Sequence, residues 1–411
     1  MLPKATIGPV RGENVTAVVQ GTCAPGFENV RAEFARNFAE RGEVGASLAV
    51  TLDGEFVVDL WGGYADAARS RPWERDSLVN VYSTSKGMTA LCAHLLADRG
   101  ELDLDAPVAR YWPEFAQAGK DDVPVRWLLS HRAGLIAPRT PLTPDDVYDW
   151  EKVCAVLAAA EPWWRPGTAQ GYHAVSFGFL VGEVVRRITG TSLGTFLRTE
   201  ITEPLGADLY IGTPEAEHTR CAELIAPGVG GGLRKVFPGM PEGPFASLDA
   251  HPLAGVAVAM GYLPIGDVNS ARCRTAEIPA ANGNATAHGL ATVYRALATG
   301  GLVGSGTLAA MRAQQSRDGE PDLVLSAAAP ERLPFAWAAG YMLNCFGYFG
   351  PNPGTFGHGG AGGSLAFADP ENRLSYAYTM NRFGGSTTGG DTRNLKLVES
   401  VYAAPALAGQ A

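Results

Sequence analysis

A chain of 411 residues with 46% hydrophobic content has ample material for a large buried core, and only 18% of it is charged. With 51 Gly and 28 Pro it reads as a compact, loop-rich protein rather than a coiled coil or a disordered chain. A net charge of −9 and no Lys/Arg run argue against a nucleic-acid or anionic-membrane partner, since both need clustered cations.

The opening stretch, MLPKATIGPVRGENVTAV, has no continuous apolar run. Neither a signal peptide nor a membrane span is expected, and the expected location is cytoplasmic. Phe27, Val30, Phe34 and Phe38 fall at helical spacing and predict a helix over 27–41. Two β-rich runs, GASLAVTL and EFVVDLWGG, flank Asp53-Gly54, a preferred two-residue hairpin turn. Residues 83–99 predict a long helix ended by Gly100, and LLSHRAGL a short apolar one. Further helices are predicted over 174–189 and 286–299. GSLAFADP and RLSYAYTMNRF read as strands joined by the turn at 369–372, and the tail from Thr392 reads as a helix. Strands at both ends around a mainly helical middle predict an α+β fold: one antiparallel sheet built from both chain ends and flanked by helices. The expected division is an N-terminal extension at 1–26, a single domain at 27–385 with a helical subregion at about 100–285, and a C-terminal helix and tail at 386–411.

The six cysteines, at 23, 92, 154, 221, 273 and 345, include no CxxC and no Cys/His cluster. They read as buried reduced thiols, with neither a disulfide scaffold nor a metal site expected. No cofactor is implied.

Ser83-Thr84-Ser85-Lys86 carries the most chemistry. Positions i and i+3 share a helix face, so Lys86 can sit beside the Ser83 hydroxyl. A serine needs a base to become a nucleophile, and a desolvated lysine can serve. Ser-x-x-Lys alone is a common pattern, and an N-cap serine followed by a solvated lysine is its ordinary meaning. Here it occurs once in a chain with only six lysines, and it opens an apolar helix. The rival nucleophile is Ser192 in Gly190-Thr191-Ser192-Leu193-Gly194, which matches G-x-S-x-G. That motif requires a preceding strand, whereas GEVVRRIT reads as a helix. Gly190 therefore reads as a helix stop and Thr191 or Ser192 as the next N-cap.

Tyr172 stands just before a helix, where a phenol beside a lysine can relay a serine proton; a core aromatic is the plainer meaning. The run from Gly357 through His358, Gly359, Gly360 and Ala361 to Ser364 precedes a strand. Such glycine density lets a backbone N–H approach a substrate oxygen, although a plain hairpin would also use it.

Ser83-x-x-Lys86, Tyr172 and His358-Gly359-Gly360, in this order, resemble the serine β-lactamase and penicillin-binding protein superfamily. Within it the chain is most similar to class C β-lactamases and the related family VIII carboxylesterases and transacylases. The resemblance covers roughly residues 27–385. It implies a β-lactamase-like α/β sandwich with the site between sheet and helical region. It implies Ser83 as the acylated nucleophile, Lys86 as its base, Tyr172 as the proton-transfer partner, and the backbone N–H groups of Ser83 and Ala361 as the oxyanion hole. His173, His358, Gly359, Gly360 and Trp337 are expected around the substrate pocket, with Trp163 and Trp164 nearby.

The departures bear on substrate. The second motif of β-lactamases usually carries Asn where this chain has Ala174, and the third usually carries Lys-Thr/Ser-Gly where it has His358-Gly359-Gly360. Two lost polar contacts, each worth about 1–3 kcal/mol when buried, argue against efficient β-lactam turnover. The expected function is therefore a serine hydrolase of small or medium acyl esters. A transacylase passing the acyl group to an amine or alcohol is the alternative; a β-lactamase, a D-amino peptidase and an acylated sensor without turnover are lesser ones. The oligomeric state is not legible.

Overall fold

The computed structural model describes residues 18–140, 142–225, 267–328, 335–384 and 390–408. The parts of the expected extension, domain, helical subregion and tail at 1–17, 141, 226–266, 329–334, 385–389 and 409–411 lie outside the described residues.

The hairpin at Asp53-Gly54 forms as the sequence demands. Its two central residues take φ of 52° and 88°, the left-handed pair whose twist matches the flanking strands Gly45–Leu52 and Glu55–Gly63. The far end of the chain completes the sheet. Leu374–Met380 lies antiparallel to Gly45–Leu52, in register from Leu374 opposite Leu52 to Met380 opposite Ala46. Ser47 with Thr379 (2.8 Å) and Thr51 with Ser375 (2.7 Å) pair their hydroxyls across this central seam. Outward on the C-terminal side follow Leu365–Asp369, Phe356–Gly359 and Met342–Leu343, and the described sheet has seven antiparallel strands.

The opposite edge is Val19–Cys23, paired with Glu55–Gly63. These five residues belong to the sheet, not to a separate extension. The strand escapes the pattern because Gly21 interrupts it at φ 98°; a Cβ there would lie 2.0 Å from the Asp59 carbonyl oxygen.

The two sheet faces have different grain. Leu48, Val50, Phe367, Tyr376, Tyr378 and Met380 meet the helices Glu28–Glu40 and Thr392–Tyr402, so the tail helix is part of the core. On the other face, the alanines at 49, 366, 368 and 377 let the helix Ala287–Thr299 come close, and Ser375 Oγ reaches the Ala291 carbonyl at 2.9 Å. Beyond it the buried helix Ser85–Asp98 packs on Ser176–Thr189, which Gly190 ends at φ 71°.

Two expected helices are shorter than read. The Ser83 segment begins as a 3₁₀ turn at Tyr82–Thr84 before the α-helix starts at Ser85. The LLSHRAGL helix ends at Leu129; Ser130 Oγ bonds back to the Arg126 carbonyl at 2.7 Å, and His131 turns the chain with φ 59°. None of the helices among the described residues is long and apolar enough to cross a membrane.

Candidate active site

In the stretch 77–96 every residue except Ser83 is buried. A nearly all-buried helix thus opens on one accessible hydroxyl. Tyr82, just before it, takes φ 45°, a conformation that a bulky residue adopts only under local constraint. Asn80 Oδ1 holds the Tyr82 N–H at 3.0 Å, and Ser85 Oγ bridges the Tyr82 carbonyl (2.5 Å) to the Gly283 N–H (2.9 Å). Ser83 is therefore presented on a braced turn.

Lys86 is wholly buried. Its Nζ lies 3.1 Å from Ser83 Oγ, 2.7 Å from the Ala174 carbonyl oxygen and 2.9 Å from that of Ala280. Burial pushes the ammonium well below the usual lysine range. A neutral amine keeps two N–H bonds and one lone pair. Carbonyl oxygens only accept, so they claim the two N–H bonds, and the lone pair is left facing Ser83 Oγ. This is the geometry of a base.

Tyr172 covers the pair. Lys86 Nζ sits 4.7 Å from its ring centroid. Burial raises the phenol above its ordinary range; a hydrogen bond with Ser83 opposes the rise and the Asp322 charge adds to it. The group is a protonated phenol in contact with the serine.

Asp322, not singled out in the sequence, holds this corner. Its Oδ1 accepts the N–H groups of Tyr172 (3.0 Å), Val324 (2.9 Å) and Leu325 (2.9 Å), and its Oδ2 accepts the Trp337 indole N–H (3.1 Å). Burial raises its carboxyl, and these donors oppose that. All four are donors only, which suits the ionised carboxylate. Trp337 stacks on Tyr172 at 5.4 Å and 14°.

His173 corrects the pocket expectation. It is fully buried, its Nδ1–H donates to the Gly171 carbonyl (2.7 Å), and its Nε2 accepts the Leu135 N–H (3.0 Å). With both nitrogens on backbone it is a brace, and burial holds its imidazolium down to about 4. His131, also unforeseen, accepts the His173 N–H at Nδ1 (3.2 Å) and packs against Tyr172 and Trp337. Trp337 is 1% exposed, so it backs Tyr172 rather than facing a ligand.

His358 lies on the strand Phe356–Gly359, with Nδ1–H on the Gly359 carbonyl at 2.7 Å and Nε2 without a partner among the described residues. Burial holds its imidazolium down to about 3, so it is neutral at physiological pH. Gly359 and Gly360 follow into a tight turn where Gly360 N donates to the Ser364 carbonyl (2.8 Å) and Gly363 N to the Gly360 carbonyl (3.2 Å). Ser364 Oγ ties this turn to the serine turn, through the Val81 carbonyl (2.8 Å) and Thr84 Oγ1 (3.1 Å). The amide plane of Gly360–Ala361 fixes the rest. Its C=O points into the turn, so the Ala361 N–H points out of it. Neither this N–H nor that of Ser83 donates to a turn or loop carbonyl among the described residues.

Ser192 takes the role expected of it. It caps the helix Leu193–Leu197, accepting the Thr195 N–H, and donates to the half-buried Glu277 at 2.6 Å. The element directly before this motif is the helix Ser176–Thr189, not a strand. Among the described residues no group of His, Cys, Asp and Glu is arranged to hold a metal ion.

An antiparallel sheet with helices on both faces, and a Ser83–Lys86–Tyr172 cluster between sheet and helical region in which the serine alone is accessible, define the β-lactamase-like α/β sandwich class. The chain belongs to the Beta-lactamase family, whose model matches residues 31–399. It is 37% identical over 401 residues to the "Esterase/beta-lactamase LipL" of Mycobacterium tuberculosis, covering 91% of this chain and 85% of that one. A solved family VIII carboxylesterase superposes with a TM-score of 0.85 at 42% identity, covering 94% of this chain and all of the other (100%). A penicillin-binding protein homologue from Caulobacter crescentus gives 0.84 at 42% identity, with 94% and 100% covered.

Proposed function

We propose that this protein is a serine esterase that cleaves small or medium acyl esters through an acyl-enzyme on Ser83. The observation that carries this is the pairing of the one accessible residue in 77–96 with a buried Lys86, whose Nζ is 3.1 Å away and whose ammonium burial pushes well below the usual lysine range. The esterase and carboxylesterase names of the similar proteins support it.

In the first half-reaction the Ser83 proton passes to the Lys86 lone pair as Oγ bonds to the ester carbonyl carbon. The carbonyl oxygen becomes an oxyanion, held by the N–H groups of Ser83 and Ala361. The tetrahedral adduct collapses, the carbon–oxygen bond to the alcohol breaks, and the leaving oxygen takes its proton from Tyr172, which is restored by the Lys86 ammonium. In the second half a water attacks the acyl carbon, gives its proton to the Lys86–Tyr172 pair, and Ser83 leaves with a proton from Lys86.

The site's charge favours a neutral substrate. His173 and His358 are held neutral by burial, and Lys86 is spent on Ser83 and two carbonyls. The third motif carries His358 in place of a lysine, and Ala174 in the second has no side-chain amide, its carbonyl being taken by Lys86.

The test mixes the protein with p-nitrophenyl acetate and butyrate, and separately with nitrocefin, with and without a panel of amines and alcohols. Steady ester turnover that vanishes in Ser83→Ala, with weak or no nitrocefin cleavage, is the expected result. Product formed only with an acceptor makes it a transacylase, and a single stoichiometric burst makes it a sensor. Full activity in Ser83→Ala overturns the assignment.

A further inference from the structure

The glycine turn that carries Ala361 is fastened from behind by a buried charged cluster that the reaction above does not use. Arg393 opens the C-terminal helix Thr392–Tyr402 and is 4% exposed. Its Nη1 contacts both oxygens of Glu43 (3.0 Å each) and donates to the Arg382 carbonyl (3.0 Å). Its Nε and Nη2 meet the two oxygens of Asp391 (2.9 and 3.2 Å). Nη2 also donates to the Gly362 carbonyl at 2.8 Å. Glu43 is further bonded by the Tyr378 hydroxyl, and Asn394 Nδ2 holds the neighbouring Gly363 carbonyl at 2.6 Å. Burying three charges this completely is expensive, and surface packing alone does not call for it.

The connectivity says what the cluster does. The carbonyl of Gly362 and the N–H of Gly363 belong to one peptide group. That N–H donates to the Gly360 carbonyl, which shares its peptide group with the N–H of Ala361. A guanidinium on the Gly362 oxygen polarises the first group, which polarises the second, and the chain ends at the outward Ala361 N–H. Hydrogen bonds in series strengthen one another in this way, most where water is excluded.

We infer that Arg393 is a positioning residue of the oxyanion hole, orienting and polarising the Ala361 N–H through the Gly362–Gly363 and Gly360–Ala361 peptide groups. This rests on the acyl-enzyme reading of Ser83. It places part of the machinery on the tail helix, remote in sequence from every motif of the site. The glycines fit the same purpose. Gly362 and Gly363 take φ of 87° and 123°, and their carbonyls are aimed at Arg393 and Asn394.

The test compares wild type with three variants: Arg393→Met, Arg393→Lys, and the double variant Glu43→Gln/Arg393→Met, which removes one buried anion with the cation. Arg393→Lys keeps the charge but cannot reach Gly362, Glu43 and Asp391 together, and it is the variant expected to fold most readily. Folding is checked by circular dichroism. Three readouts are taken: kcat and KM for p-nitrophenyl butyrate, inhibition by an alkylboronic acid that forms an anionic tetrahedral adduct on Ser83, and the carbonyl stretch of a ¹³C-labelled acyl-enzyme. Loss of one oxyanion donor costs on the order of 100-fold in kcat elsewhere, so weakening one is expected to cost about 10-fold or more, with KM little changed. Boronate affinity falls in parallel, and the acyl carbonyl band moves to higher frequency as its hydrogen bond weakens. A folded variant that keeps the wild-type carbonyl band, whether or not its activity has fallen, overturns the inference. Absence of any acyl-enzyme in wild type would instead sink the Ser83 reading, so the two failures are told apart.

Discussion

Asp322 accepts the backbone N–H of Tyr172 at 3.0 Å with one oxygen and the indole N–H of Trp337 at 3.1 Å with the other, and these two aromatic rings stack on each other. The carboxylate therefore fixes both the chain and the ring behind the phenol that touches Ser83. Asn is no substitute here. Its single oxygen can serve only one side, and its NH₂ must then face an N–H on the other. Asp322→Asn is expected to cost about 1–3 kcal/mol of stability, because a buried donor goes unpaired, and to lower kcat about 10-fold. Adding Trp337→Phe removes the opposing indole N–H and recovers part of both losses. A double-mutant cycle on melting temperature and kcat checks this. Strict additivity would show that the two contacts act separately.

Lys86 ties activity and stability to pH in the same direction. Catalysis needs the neutral amine, so turnover is expected to fall as pH drops through the depressed folded-state pKa of Lys86. In the unfolded chain the same amine has the ordinary lysine pKa, about 10.4, and binds a proton that the folded state does not. Between the folded and unfolded values the unfolded state holds more protons, so this residue's cost to stability shrinks as pH rises. Lys86→Met is expected to lose about 10²–10⁴-fold in kcat. The difference in stability between Lys86→Met and wild type shifts in favour of wild type as pH rises from 7 toward 10. Denaturant melts across that range check the slope, and a flat difference would mean that Lys86 is charged when folded.

Ser192 separates the two serine motifs. Its contacts are a helix cap and Glu277, so Ser192→Ala is expected to cost about 1–2 kcal/mol and leave ester turnover per folded molecule unchanged. A loss of turnover at full folding would restore the G-x-S-x-G reading.

Gly360 leaves no room for a side chain. A Cβ there would lie 2.1 Å from Ser364 Oγ and 2.2 Å from the Val81 carbonyl oxygen. Gly360→Ala must push the glycine turn off the serine turn and displace the Ala361 N–H. A loss of about 100-fold or more in kcat is expected, on the scale of a lost oxyanion donor. Steady-state kinetics on the folded variant measure it.

What the sequence carried was local. Asp53-Gly54 specified its hairpin, Phe27 to Phe38 specified a helix, and the β-rich runs joined by turn signals in the two end segments 45–63 and 365–380 placed one sheet across both termini. Ser83, Lys86 and Tyr172 come together because two short motifs bring chemistry with them. The groups that went unseen act across long separations. Asp322 lies 150 residues from Tyr172 and Arg393 lies 350 from Glu43. A single aspartate or arginine in a polar stretch carries no periodicity to mark it as buried. Trp337 and His173 were placed at the pocket because aromatic and polar side chains near a site often line it. Here their polar atoms are consumed by Asp322 and by backbone, which composition does not reveal. The edge strand at 19–23 and the turn at Tyr82 were hidden for a related reason: tertiary contacts impose a backbone that local preference does not favour.

The central claim is that Ser83 carries the acyl group. Quenching the protein during turnover of p-nitrophenyl butyrate and mapping the peptides by mass spectrometry tests it directly. One butyryl group is expected on the peptide containing Ser83, absent in Ser83→Ala, with turnover abolished in that variant. A butyryl group on another residue, or full turnover by Ser83→Ala, would contradict it.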